Sequence, residues 1–226
     1  LEGPRFELAA GASCELEWTL PDTNGEPIAE IGIALTHAGT IYLDWLTWEG
    51  TPRLALRLPA NEGRMWQRAW VEGLDQAYGR ANEEFRLIQN EGRGLLITGT
   101  REWRDYTVRA TLTPHMASAC GLAARVQGMR RFYALQLLRA ADGTRALQLL
   151  RALDGDTLLA EAPFDWQFGT AYTLELHVAG NRIQGAVDGQ ALFEVNDNAL
   201  ASGGIALVVE EGRVAADLVE VLNATT

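Results

Sequence analysis

The stretch ALQLLRAADGTRALQLLRALDG, residues 134–155, contains the heptapeptide ALQLLRA twice. Each copy consists of good helix formers, and each is followed within two residues by Asp-Gly, at Asp142-Gly143 and Asp154-Gly155. Asp-Gly between apolar runs is a strong signal for a tight β-hairpin turn. Two helices do not fit between these turns, so we interpret the copies as successive strands of a meander. The repeat stops after two copies, whereas a solenoid needs at least about three.

The rest of the chain beyond residue 85 alternates apolar and polar residues in the same way. The alternation predicts strands of roughly five to eight residues that recur about every 8–12 residues. They cover residues 85–89, 94–98, 106–112, 120–127, 132–138, 145–150, 157–160, 172–178, 182–187, 191–195, 204–209 and 215–221. Turn signals separate them, including Asn90-Glu91-Gly92 and Asp188-Gly189. This pattern predicts an all-β protein with an antiparallel β-sandwich, or jelly roll.

The first part of the chain also alternates, and it is separated from the rest by one helix-like segment. We predict strands at residues 14–20, 28–36, 40–48 and 53–58. The chain is therefore divided into a partial β-sandwich at residues 1–60 and a larger β-sandwich at residues 61–226. Residues 61–80 carry apolar side chains at helical spacing. They are either the one helix of any length or an irregular connector that leads into a strand at Trp70.

Composition and charge exclude several classes of partner. The chain has 226 residues, 47% of them hydrophobic, and a net charge of −11. Nucleic acids and anionic membranes are bound by basic surfaces, and no apolar run reaches the roughly 20 residues of a membrane span. We therefore expect neither nucleic acid nor a membrane as partner, and a neutral glycan fits better. The two cysteines, Cys14 and Cys120, are expected to be buried free thiols.

Several motifs resemble those of the concanavalin A-like, laminin-G-like jelly roll. They are GTREWRDY at residues 99–106, GLAAR at 121–125, VDG at 187–189 and GGIAL at 203–207. The resemblance covers roughly residues 65–221 and implies a concanavalin A-like second domain. That family includes lectins, carbohydrate-binding modules, some glycosidases and the 3-keto-disaccharide hydrolases.

The first part of the chain has a different resemblance. Residues 41–44, IYLD, resemble the closing strand of a galactose-binding-like jelly roll, and residues 39–52 with 65–70 resemble the region that follows the catalytic domain in some ADP-ribosylglycohydrolase-type bacterial proteins. This implies a bacterial accessory region whose partner is the parent enzyme's catalytic domain. It also makes Asp44 a candidate ligand of a structural Ca²⁺ ion, and no other cofactor is expected. The chain starts at Leu1, so we expect a fragment or a processed product and leave its compartment open, cytoplasmic or secreted.

The sequence lacks the usual catalytic patterns. Glycoside hydrolysis needs two carboxylates that flank the scissile bond, whereas Glu83-Glu84 and Glu210-Glu211 are adjacent pairs that point to opposite strand faces. No nucleophile elbow, P-loop or dinucleotide fingerprint occurs. We therefore predict no catalytic residue. A hydrolase of the 3-keto-disaccharide type, acting on the concave sheet face, stays open as an alternative.

The candidate ligand site combines aromatic and polar side chains. Sugar rings stack on aromatic rings while planar polar groups hydrogen-bond the hydroxyls. The predicted concave-face cluster consists of Trp103, Arg109, Arg125, Gln127 and Tyr133. An ordinary solvated sheet face is the alternative interpretation. The sequence thus predicts a non-catalytic carbohydrate-binding or accessory module, and a purely structural or oligomerising domain is the second alternative.

Overall fold

The computed structural model describes residues 1–21, 23, 28, 30–48, 52–57, 65–79 and 85–224. Thirteen strands of this part of the chain form one continuous antiparallel sheet that folds on itself. The structure contains no described helix that is long and apolar enough to cross a membrane. The all-β antiparallel prediction is confirmed.

The described residues before residue 49 differ from the prediction. None of them is in a strand, and all are exposed except Trp18, Thr23 and Ile41, which are half-buried. The strands predicted at residues 14–20 and 40–48 are therefore wrong, and the one predicted at 28–36 forms no strand at its described positions. Alternation alone does not make a strand, because the backbone N–H and C=O groups also need a neighbouring strand to pair with. The division of the chain at residue 60 stays a prediction.

The strands lie in two layers. The bounds are β1 Leu54–Leu56, β2 Val71–Gly73, β3 Gln76–Tyr78, β4 Phe85–Thr98, β5 Tyr106–Met116, β6 Ala119–Gly128, β7 Arg131–Arg139, β8 Arg145–Leu153, β9 Asp156–Pro163, β10 Tyr172–Ala179, β11 Arg182–Val187, β12 Gln190–Asn196 and β13 Gly204–Asn223. Layer A has the order β12-β11-β10-β5 and continues into the second half of β13. Layer B consists of the second half of β4, the first half of β13, then β6, β7, β8 and β9. β1, predicted within the first unit, pairs with β13.

The helix-like segment is mostly a connector. Residues Met65–Ala69 form a single 3-10 helix, and β2 and β3 follow it and pair with β4. Trp66 and Trp70 are buried against Phe85, each with ring centroids 5.5 Å away. Two of the apolar positions that suggested a helix therefore anchor the connector to the sandwich, as the alternative interpretation predicted. Residues 61–64 and 80 lie outside the described residues.

Two long strands carry the chain between the layers. The predicted turn at residues 90–92 and the predicted gap between residues 209 and 215 both lie within continuous strands, β4 and β13. The pairing shifts between Glu210 and Gly212. Positive φ angles of 63° at Gly92 and 43° at Glu211 mark this irregularity. A bulge of this kind bends a strand and increases its twist. The residues that predicted a turn thus form a bulge. The bulge lets the β4–β13 pair belong to both layers.

The repeated heptapeptides form the β7–β8 hairpin, as predicted. Its register pairs Gln136 with Gln148 and Leu135 with Leu149. Odd-numbered Leu135, Leu137, Leu147 and Leu149 point to the core between the layers. Even-numbered side chains therefore face outward from layer B. This places the two glutamines side by side on the outer face.

The main core fills the space between the layers. Its members include Leu122, Leu135, Leu174 and Leu207, all at most 1% exposed. Gly121 is required for close packing of β6 on β7, because an added Cβ would lie 2.1 Å from the Leu135 carbonyl oxygen. Cys120 is a buried free thiol, as predicted.

Cys14 is exposed, so the prediction that both thiols are buried was wrong at this position.

Candidate functional site

Four of the five predicted site residues surround one segment, residues 197–203. The side chain of Arg125 is only 1% exposed. Its guanidinium donates hydrogen bonds to the Leu200 and Arg104 carbonyl oxygens at 2.9 and 3.2 Å, and to the half-exposed Asp105 carboxylate at 3.3 Å. The prediction that Arg125 points outward was wrong, because the strand is irregular there and its φ angle is 51°. Arg125 thus binds the backbone carbonyl oxygens of two neighbouring loops.

Tyr133 and Gln127 contact the same segment. The buried Tyr133 hydroxyl donates to the Asp197 carboxylate at 2.6 Å and accepts from the Leu200 backbone N–H. Burial, with the bond to Asp197, raises the pKa of Tyr133 to about 12. Gln127 Nε2 donates to the Ser202 carbonyl oxygen at 2.9 Å. Tyr133, predicted as a member of the concave-face cluster, instead lies in the main core between the layers.

Trp103 and Arg109 lie far apart from each other in the fold, and only Trp103 is close to residues 197–203. Trp103 packs on Gly99 and on Tyr106, with ring centroids 6.1 Å apart, and its carbonyl oxygen accepts from the Gly203 backbone N–H. Arg109 lies on the outer face of layer A, where it forms an ion pair with Glu220 at 3.3 Å. The structure thus brings four predicted residues together around a loop and separates Arg109 from them.

Asp44 is exposed. The described part of the chain contains no group of three or more His, Cys, Asp or Glu side chains that could hold a metal ion. Calcium binding at Asp44 stays a prediction.

The outer face of layer B carries a second apolar cluster, separate from the main core. Its members are Leu95, Ala123, Val126, Phe132, Ala134, Leu150, Ala152, Ala206 and Val208. Many of them are alanines, which leave room for a larger side chain to lie across them. Arg93 occupies this space, with its guanidinium carbon 5.8 Å from the centroid of the Phe132 ring.

Arg93 spans the outer face of layer B. From β4 it donates two hydrogen bonds to Asp156 on β9, at 3.0 and 2.7 Å, although β13, β6, β7 and β8 lie between these strands in the sheet. Its Nε also donates to Glu210 at 3.1 Å. One side chain can connect the two edges only if the layer is strongly curled, so this face is concave. We call this bridge the Arg93 bar.

A row of polar side chains lies beside the Arg93 bar. Gln136, Gln148 and Glu161 occupy directly paired positions on β7, β8 and β9. Gln136 Nε2 donates to Gln148 Oε1 at 3.3 Å, and Gln148 Nε2 donates to Glu161 Oε2 at 2.6 Å. Gln136 is only 3% exposed, and its Oε1 atom is buried without a hydrogen-bond partner among the described residues. We call these three residues the polar row.

The bar and the two glutamines of the row line an open cleft of about 240 Å³. Its apolar lining comes from Leu138, Leu150 and Leu158, and its polar lining from Gln136, Gln148 and the three residues of the Arg93 bar. Glu161 adjoins the cleft through Gln148. Apolar contact surface next to planar hydrogen-bonding groups is the usual composition of a small-ligand site.

The sequence contained a signal for this cleft that the site prediction did not use. Glutamine is the third residue of both heptapeptide copies, and a turn at Asp142-Gly143 makes these two glutamines direct partners in a hairpin. A glutamine at the same position of both copies is unusual in an otherwise apolar repeat, because buried polar groups are costly unless they are hydrogen-bonded. The contribution of Arg93 had no local signal, since its partners lie 63 and 117 residues away in the sequence.

Comparison with known proteins identifies the fold. No protein-family model matches the chain, and no curated protein matches it closely. Among solved structures, the carbohydrate-binding module CBM66 from Bacillus subtilis is similar with a TM-score of 0.60 at 15% identity, over 69% of this chain and 96% of that one. A Bacillus subtilis protein of unknown function with a galectin-like fold is similar with a TM-score of 0.58 at 14% identity, over 79% of this chain and 98% of that one. This chain therefore contains an antiparallel jelly-roll β-sandwich with a galectin-like fold.

Proposed function

We propose that this chain is a carbohydrate-binding module whose ligand site is the cleft on the concave face of layer B. The observation that carries the proposal is the cleft itself, in which leucine side chains lie next to amides, carboxylates and a guanidinium. A sugar presents apolar C–H faces and a rim of hydroxyls, so it complements this mixture. The fold that the chain shares with a carbohydrate-binding module supports the proposal.

The cleft favours binding over catalysis. Its carboxylates at Asp156 and Glu210 accept hydrogen bonds from Arg93, and Glu161 accepts from Gln148. A general acid for glycoside hydrolysis has to donate a proton to the leaving oxygen. Carboxylates held as acceptors are suited to fix sugar hydroxyls. The ligand class that fits is a neutral glycan.

We propose further that the module serves a larger bacterial enzyme as a non-catalytic accessory region. The support is the resemblance of residues 39–52 and 65–70 to the region after the catalytic domain of ADP-ribosylglycohydrolase-type proteins. A catalytic domain is then the second partner of this chain.

A glycan array tests the proposed function. We expect the purified chain to bind at least one neutral polysaccharide, and Leu158→Ala and Gln148→Ala to weaken that binding. Leu158 is 54% exposed, so its truncation leaves the fold intact. Arg109→Ala on layer A is the matched control and keeps wild-type binding. Binding that is lost in Arg109→Ala but kept in the two cleft variants contradicts the proposed site, and turnover of an arrayed glycoside supports the hydrolase alternative.

A further inference from the structure

We infer that the polar row selects its ligand by hydrogen-bond polarity: Gln136 Oε1 accepts a hydrogen bond from a neutral sugar hydroxyl, and the cleft rejects uronic acids. This inference rests on the proposed function, because it assigns the class of glycan that the cleft takes. The argument begins at Glu161, at the outer end of the row.

Glu161 sets the direction of the whole row. An ionised carboxylate only accepts hydrogen bonds, so Gln148 has to turn its NH₂ group towards Glu161, as observed at 2.6 Å. The carbonyl oxygen of Gln148 then points to Gln136, whose NH₂ group donates to it at 3.3 Å. The two amide orientations thus follow from chemistry, although oxygen and nitrogen of an amide are otherwise easily exchanged.

This direction leaves an acceptor unused at the inner end. Gln136 Oε1 has no partner in the described part of the chain, and Gln136 is 97% buried, since only 3% of its surface is exposed. A buried polar atom without a hydrogen bond is costly. A ligand that supplies a donor at this position removes the cost. Gln136 also lines the cleft, so a molecule bound there is placed to supply the donor.

The charges around the cleft point to the same ligand class. Glu161, Asp156 and Glu210 are acidic, and the one basic side chain, Arg93, already donates to both Asp156 and Glu210. A uronate would bring a further carboxylate next to these groups without a free cation among the described lining residues. Like charges placed together at a binding surface reject a partner. A neutral hydroxyl meets no such repulsion.

The experiment compares matched neutral and acidic polysaccharides on one array that carries mannan, polymannuronate, arabinan, fructan and polygalacturonate. The mannan is the β-1,4-linked polymer, which shares the linkage of polymannuronate and lacks only the carboxylate at the sixth carbon of each sugar. We expect the chain to bind neutral polymers and to bind neither uronate. Gln136→Met, which keeps the length of the side chain but removes the amide, weakens neutral binding by about tenfold.

Glu161→Gln tests the direction of the row without altering its size. A glutamine at this position can donate as well as accept, so both amides are free to turn over, and the preference for neutral over acidic polymers falls. Glu175→Gln makes the same charge change on layer A and leaves the preference unchanged. Glu161→Gln keeps the test decisive if Gln136→Met does not fold.

The outcomes separate the inference from the proposed function. Three results overturn the inference and leave carbohydrate binding in place: uronate binding as tight as neutral binding, wild-type affinity for neutral polymers in a folded Gln136→Met, or wild-type preference in Glu161→Gln. No binding to any polymer on the array overturns both.

Discussion

Replacing Arg125 by methionine separates a structural role from a ligand-binding role. Its guanidinium is buried and donates to the Arg104 and Leu200 carbonyl oxygens. Hydrogen bonds from a charged group contribute about 1.5–3 kcal/mol each, so the lower figure for these two bonds gives about 3 kcal/mol. The ion pair with Asp105 adds little, because the Asp105 side chain is 49% exposed. Arg125→Met is therefore expected to lower the free energy of unfolding by about 3 kcal/mol.

Urea denaturation followed by tryptophan fluorescence measures this loss. Arg109→Met is the control, since Arg109 is 45% exposed and its pair with Glu220 is expected to contribute less than about 1 kcal/mol. Glycan binding by folded Arg125→Met should equal that of the wild type. If Arg125→Met keeps wild-type stability but loses glycan binding, Arg125 contacts the ligand and our interpretation of the segment at residues 197–203 is wrong.

Three further predictions concern stability and thiol chemistry. Tyr106→Phe should lower the free energy of unfolding by about 1–3 kcal/mol in urea, because the buried hydroxyl accepts from the Arg125 N–H; an unchanged midpoint would contradict this. The pKa of the Asp197 carboxyl is lowered: burial alone would raise it, but the hydrogen bonds from Tyr133 and from other donors outweigh that effect. Its stabilisation is therefore present above the unfolded pKa of about 3.9 and is lost as pH falls through the lower folded value; urea midpoints of Asp197→Asn should show a weaker decline below about pH 4, and parallel curves would refute the assignment. Burial raises the pKa of the Cys120 thiol to about 12, so iodoacetamide followed by mass spectrometry should label only Cys14 in the native protein, and native labelling of Cys120 would show that the core opens.

Much of the fold was predictable because its determinants are local. The Asp-Gly signals and the period-two alternation placed the hairpin at residues 134–155, and the predicted strands from residue 106 to 195 match those observed within a few residues. Beyond residue 85, the exception was the bulge at Gly92 and Glu211. A glycine between two alternating runs has the same local sequence pattern in a hairpin turn as in a bulge within one continuous strand.

The first part of the chain shows the limit of alternation as a signal. Residues 14–20 alternate as regularly as residues 106–112, yet only the second segment is a strand. Tyr106–Met116 has paired neighbours on both sides, β10 and β13. Pairing depends on chain far away in sequence, and a local pattern contains no information about it.

The burial of two predicted site residues was missed for a related reason. Arg125 and Tyr133 are polar residues of the kind that bind ligands, but buried polar groups also hold loops together by hydrogen-bonding their backbone. Only the location of the 197–203 segment distinguishes the two roles. Gln136 and Gln148, in contrast, were not predicted as site residues, because the repeat around them is mostly leucine and alanine and indicates a core strand.

The most direct test of the central claim is an NMR titration of the isotopically labelled chain with the polysaccharide that binds most tightly on the array. Our account predicts shifts of the backbone amides of β7, β8 and β9 and of the side-chain amides of Gln136 and Gln148. Shifts confined to the outer face of layer A around Arg109, or to residues 197–203, would show that the ligand binds elsewhere and would contradict the account.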